Sequence, residues 1–248
     1  MMIELRDVIL PVAPSLMKEG RQHLSLQLSS GQFFRVCGPA GSGKTALLNL
    51  LALRSAFQGG LSLFGHAITR RLSHKTRTLI RQRIGYLEEV PFLSPQLTLF
   101  ENIALPLSIQ KAARRDIIHE TTSILSWLSL NHCRDLKPSS LSSSERLRAA
   151  CARALIARPS LLLLEGDPMC ADPELCSRLL PALGDFIHSG TTIVLTTRHA
   201  DTFEGLLPTP SLYLPHQPKP SFTENEPSFF SPPQGEEPPL SARESLIP

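Results

Sequence analysis

The sequence predicts an α/β domain on a mostly parallel sheet, and three observations carry that prediction. Short apolar β-type runs alternate with helical stretches: "QFFRVCG" (32–38), "SLLLLEG" (160–166) and "TTIVLTT" (191–197) are set apart by segments of helical period. Alternation of this kind is how a parallel sheet with crossover helices reads. The first run enters a glycine-rich turn that opens directly into a helix-like stretch, "TALLNLLALRSAF". Finally, from about residue 90 to 145 the pattern is helical. In "RRDIIHETTSILSWLSL", Ile117, Thr121, Leu125 and Leu128 recur three or four apart and share one face. A helical subdomain inserted in the α/β core is expected there, with Trp127 packed into it.

Composition narrows the class. The chain has 248 residues, 42% of them apolar, enough for a sizeable core. Its net charge of +3 implies no strongly polyanionic partner. The first residues, "MMIELRDVIL", carry Glu4, Arg6 and Asp7 and do not read as a signal peptide. Nor does any apolar run approach the roughly 18–20 residues that cross a bilayer. The expectation is a chain that is soluble or held at a membrane by another protein. Cys37, Cys133, Cys151, Cys170 and Cys176 form no C-x-x-C pair and read as thiols, and the eight histidines are dispersed, so no metal cluster is expected. From about Pro215 the chain is rich in Pro, Ser and Glu without period, which predicts a disordered tail over 216–248 and a folded domain over 1–215.

The turn after the first strand carries the chemistry. "GPAGSGKT", from Gly38 through Pro39, Ala40, Gly41, Ser42 and Gly43 to Lys44 and Thr45, fits G-x-x-x-x-G-K-[ST] in full, between a strand and a helix. Glycines there let successive backbone N–H groups turn inward around a phosphate at the helix N-terminus. Lys44 is expected to bridge the β- and γ-phosphates and Thr45 to hold Mg²⁺. ATP and Mg²⁺ are the expected ligands of this P-loop.

Further stretches resemble one P-loop family, the ABC-type ATPases, over roughly residues 1 to 215. "RQRIGYLEEVPFLSPQLTLFENIALPL" is similar to their Q-loop and the entry to their helical subdomain. "LSSSERLRAACARALIARPSLLLL" is similar to the signature motif, its helix and the strand bearing the Mg-associated carboxylate. "DPELCSRLL" and "GTTIVLTTRH" resemble the D-loop exit and the strand that ends in the switch histidine. The resemblance implies a mostly parallel sheet with an N-terminal antiparallel β part and an inserted helical subdomain. Within the family, "LSLFGHAIT", "TLFENIALPL" and "DPELCSRLL" look most like the FtsE group of cell-division ATP-binding proteins, with lipoprotein- and macrolide-export ATPases close by. It further implies a homodimer enclosing two ATP molecules, docked on the cytoplasmic face under an FtsX-like transmembrane protein, with Ser142 reaching the γ-phosphate across the dimer.

The chain departs from the family pattern where the reaction occurs. The Q-loop glutamine position holds Glu89, which keeps an oxygen for Mg²⁺ but adds negative charge near phosphate. The signature reads Leu141-Ser142-Ser143-Ser144-Glu145, with serines for both glycines, which would crowd a phosphate if the backbone there needs glycine geometry. "LSSSE" alone also reads as an ordinary helix N-cap. Glu165 falls on the Mg-associated Asp, Gly166 on the catalytic Glu, and Asp172 on the D-loop Asp. A register with Asp167-Pro168 as the acid-proline pair would displace that last match. Arg198 takes the switch histidine position, with His199 next to it, and no adenine-stacking aromatic lies near Val12 to Pro14.

A positioned general base is worth about 10²–10⁴ in rate, and Gly166 supplies none. The expectation is ATP·Mg²⁺ binding with slow or absent hydrolysis. Two classes of function stay open: an ATPase acting through Asp167 or His199, or in a mixed dimer with a competent subunit, and a non-catalytic scaffold gated by nucleotide. The basic run 69–83 reads as an exposed helix or as a surface for anionic head groups or an acidic partner loop.

Overall fold

The computed structural model describes residues 2–10, 23–166, 172–198 and 210–214. Contacts divide the chain into Met1–Pro218 and Lys219–Pro248, and every described residue lies in the first unit. The expected tail and positions 12–14 fall outside the described residues.

Two sheets are present. An antiparallel sheet has the order β2-β1-β4-β5, with β1 (Ile3–Ile9), β2 (His23–Leu28), β4 (Gln58–Leu63) and β5 (His66–Ala67). A second sheet runs β6-β7-β8-β3-β9, with β3 (Phe33–Cys37), β6 (Ile84–Leu87), β7 (Leu161–Leu164), β8 (Thr192–Thr197) and β9 (Ser211–Tyr213), and all its pairings are parallel. Every residue of β3, β7 and β8 is buried. Strands covered on both faces have no polar side to show, which is why these read as unbroken apolar runs.

The helices among the described residues are α1 (Lys44–Leu51), α2 (His74–Arg81), α3 (Leu99–Ile109), α4 (Arg114–Trp127), α5 (Ser143–Leu155) and α6 (Pro173–His188). Alternate residues of β7 divide between two cores, as the two-residue period of a strand requires. Leu162 and Leu164 join Leu99, Ile103, Leu125 and Leu128 beneath the helical segment, whereas Leu161 and Leu163 join Leu47, Leu48, Ile3 and Leu63 beside α1 and the antiparallel sheet. The predicted face of α4 is the buried one: Thr121, Leu125 and Leu128 are fully buried, and Ile117 and Trp127 pack against the same core. Loop 94–98 is pinned to α3 by the buried Asn102, whose Nδ2 donates to the carbonyls of Ser94, Leu97 and Thr98 while its Oδ1 accepts from Ser94 N.

Strand register then builds an edge. Leu87 pairs with Leu164, Leu164 with Leu195, and Cys37 with Thr197. Glu88 and Glu89, Glu165 and Gly166, Arg198 and Gly38 therefore all leave the sheet at its carboxyl end, where open parallel sheets bind ligands.

Candidate nucleotide site

β3 delivers the chain into Gly38, where only glycine fits: a Cβ there would stand 2.3 Å from the Leu214 carbonyl oxygen and 2.8 Å from Ser42 Oγ. Ser42 is fully buried, and Gly43 caps α1. Lys44 Nζ donates to the carbonyls of Gly38 at 2.5 Å and Pro39 at 2.7 Å, so the lysine lies along the loop it serves. Thr45 is exposed at the start of α1, whose first turn carries no acidic side chain. Its N–H groups and positive dipole end thus meet an anion unopposed. The loop Gly38–Thr45 fits a nucleotide phosphate chain, with Lys44 as the cation that would hold its charge.

At the ends of β6, β7 and β8, Glu89, Gly166 and Arg198, the three positions expected to depart from the family pattern, touch one another. Arg198 and Glu89 form an ion pair at 3.2 Å, with 61% and 54% of their side chains exposed. Beneath it lies Gly166, with φ +72 and its N–H donated to Thr196 Oγ1 at 3.2 Å. A Cβ at 166 would meet Glu89 Cγ at 3.1 Å and Cδ at 3.2 Å. The space beside Gly166 is therefore filled by the Glu89 stem, and the charge of Glu89 is matched by Arg198. Glu89, the expected Mg²⁺ ligand of the Q-loop position, has its carboxylate paired with a residue 109 positions away in this structure.

Glu165 extends the pairing with β6 through its N–H to the Leu87 carbonyl, and its Oε2 accepts from the Tyr86 hydroxyl at 3.1 Å. Burial, and then the charge of Glu165, push the Tyr86 hydroxyl well above the usual phenol range. Tyr86 in turn lies under the Arg54 guanidinium, 4.5 Å from its ring centre, and Arg54 is ion-paired with Glu88. Glu165 and Thr45 fit the oxygen donors a Mg²⁺ ion takes. Asp167 and His199, the candidate stand-ins, lie outside the described residues.

The signature segment folds as a capping box. Ser142 Oγ accepts from Glu145 N, while Glu145 Oε2 accepts from Ser142 N and from its hydroxyl, both at 2.7 Å. Ser143 and Ser144 are the first residues of α5 and have no positive φ. The glycine geometry that would make them crowd the loop is thus absent from this backbone. The N-cap reading of "LSSSE" describes what is observed. Those hydrogen bonds, the Ser142 hydroxyl foremost, pull the Glu145 carboxyl down to about 2.

One grouping the sequence did not foreshadow is His132, Cys133 and Glu145. Glu145 Oε1 lies 2.9 Å from His132 Nε2 and 3.1 Å from Cys133 Sγ. A 3₁₀ turn, Asn131–Cys133, brings the first two to the start of α5. No spacing rule links these positions, so dispersed histidines and cysteines gave no signal. The other expected position, Asp172, is buried, caps α6 through the N–H groups of Glu174 and Leu175, and lies 3.1 Å from Arg148 Nε.

Known proteins agree with this architecture. The ABC transporter family pattern matches residues 21–166. The lipoprotein-releasing system ATP-binding protein LolD of Pseudomonas syringae pv. tomato is 34% identical over 178 residues, covering 71% of this chain and 78% of that protein. The methionine import ATP-binding protein MetN of Bordetella pertussis is 31% identical over 185 residues, and the chain spans about half of it, 51%. Among solved structures, the dimeric bacterial ABC transporter cassette MJ0796 matches with a TM-score of 0.74 at 25% identity, over 86% of this chain and 94% of that one. Its post-hydrolysis state bound to ADP and Pi matches in fold, with a TM-score of 0.70. The fold and the phosphate loop are those of an ATP-binding cassette. The chain belongs to the ABC transporter family.

Proposed function

We propose that the chain is an ABC subunit that binds ATP·Mg²⁺ and hydrolyses it very slowly or not at all, relaying nucleotide state to a transmembrane partner. The observation that carries the reading is the Glu89–Arg198 pair lying over Gly166. A hydrolase needs a carboxylate free to polarise water at that point, and here the Glu89 carboxylate that lies over it is paired with the Arg198 guanidinium. The phosphate loop keeps Lys44, Thr45 and its glycines, so binding is retained where turnover is not.

The particular role proposed is that of an FtsE-like subunit, paired as a homodimer or with a competent ATPase and acting under an FtsX-like transmembrane protein in cell division. Its 34% identity to a lipoprotein-releasing ATP-binding protein favours a second reading, an export subunit of that type. A groove of about 880 Å³ between α2, β6 and α3 supports a membrane partner in either case: it exposes Phe92 (67%) and Ile109 (56%), and Tyr86 and Glu88 line its floor. No helix among the described residues is long and apolar enough to cross a membrane. A partner segment seated there would press on the strand that leads to Glu89.

Phosphate release from the purified chain, with Lys44→Ala as control, tests the catalytic reading. The expected result is no release dependent on Lys44 alongside measurable ATP binding. Turnover at ordinary family rates, abolished by Lys44→Ala, overturns it. Deleting the gene separates the two roles: a septation defect supports the first, and retention of lipoproteins in the inner membrane supports the second.

A further inference from the structure

The geometry points to a transition-metal site of the zinc class formed by His132 Nε2, Cys133 Sγ and Glu145 Oε1, separate from the nucleotide. These three atoms lie within 4.8 Å of one another. An imidazole nitrogen, a thiol sulfur and a carboxylate oxygen form the donor set that Zn²⁺ takes, at about 2.0–2.3 Å from each, with a fourth position left for water. Donors around such an ion sit roughly 3–4 Å apart, so the observed 2.9 Å and 3.1 Å need only a small opening to admit it. Mixed N, S and O ligands disfavour Mg²⁺ and Ca²⁺, which select oxygen.

The two carboxylate oxygens divide the work. Oε2 holds the Ser142 N–H and hydroxyl, while Oε1 faces His132 and Cys133. A cation on Oε1 therefore leaves the capping box standing. Cys133 is buried and His132 exposed, so the ion enters from the histidine side. Binding exchanges the thiol proton for the metal: the S–H bond breaks, an S–metal bond forms, and one proton leaves to solvent. The bound ion would clamp the 131–133 turn to the first turn of α5, just after Ser142, and so stiffen the segment that would face a second subunit.

Titration of the tag-free full chain with Zn²⁺ against a chromophoric chelator tests this, with Co²⁺ as the spectroscopic probe. One equivalent is expected to bind, and Co²⁺ is expected to give a thiolate charge-transfer band in the near ultraviolet. Both His132→Ala and Cys133→Ser are expected to weaken Zn²⁺ binding at least about tenfold, on the scale of altering a metal site, and only Cys133→Ser removes the thiolate band. His132 is exposed, so His132→Ala remains informative if Cys133→Ser fails to fold. Absence of stoichiometric Zn²⁺ binding, or binding unchanged in His132→Ala, overturns the site. Neither outcome bears on ATP binding at Lys44.

Discussion

A methyl group at position 166 would sit on a backbone at φ +72 and 3.1 Å from Glu89 Cγ. Left-handed backbone costs an L-residue about 1–2 kcal/mol, so Gly166→Ala is expected to destabilise the chain by that order in a denaturant titration. On the proposed reading, the same contact means that a glutamate placed at 166 alone is not expected to give a hydrolase. Gly166→Glu meets the Glu89 stem, and Arg198 would pair with whichever carboxylate it reaches. Gain of turnover is expected only from the joint change Glu89→Gln, Glu165→Asp, Gly166→Glu and Arg198→His, read by phosphate release. Glu89→Gln alone has a different expected outcome. Its ion pair is more than half exposed and contributes about 0–1 kcal/mol to stability. Removing a negative charge from the ligand edge and freeing Arg198 favours the anion by about 1 kcal/mol, or roughly fivefold tighter ATP binding by calorimetry.

At the scale of elements, α5 is the piece that joins the site to the rest of the fold. Its N-terminus is held by the Ser142–Glu145 box, and Ser142→Ala is expected to cost about 1 kcal/mol. Its middle is held by Arg148, which lies 3.1 Å from the buried Asp172, donates to Glu174 at 2.8 Å and reaches the Leu128 carbonyl at 3.2 Å. Arg148→Met strands a buried carboxylate, so a loss of about 3 kcal/mol or more is expected in equilibrium unfolding. These elements also show what a linear pattern can carry. β3, β7 and β8 were legible because strands buried on both faces write continuous apolar runs, and the phosphate loop because its backbone demands particular residues in a row. The α4 face was legible from spacing alone. The Glu89–Arg198 pair was not, since it depends on β6, β7 and β8 lying side by side and on two long side chains meeting across them. The convergence of His132, Cys133 and Glu145 depends on a short 3₁₀ turn, which has no sequence period to betray it.

For the whole molecule, the proposed division between a phosphate cradle that binds and an edge that does not catalyse makes a thermodynamic prediction. A ligand that binds only the folded state stabilises it by RT ln(1 + [L]/Kd), about 2.7 kcal/mol at a hundredfold excess over Kd. For a chain of 248 residues, each kcal/mol raises Tm by about 2–4 °C. Saturating ATP with Mg²⁺ is therefore expected to raise Tm by roughly 5–10 °C, and Lys44→Ala is expected to abolish the shift, because its ammonium is the cation built into the loop. The time course separates a binder from a slow hydrolase. If the chain hydrolysed ATP, the shift given by limiting ATP would decay toward that of ADP during incubation before the scan. On the proposed reading, in which Gly166 beneath the Glu89–Arg198 pair takes the water-polarising position, the ATP shift is expected to hold after hours of incubation. Decay of the shift in the unmodified chain would place a working base at the edge after all, on Asp167 or His199, and the alanine variant of the responsible residue would then keep its shift through the same incubation.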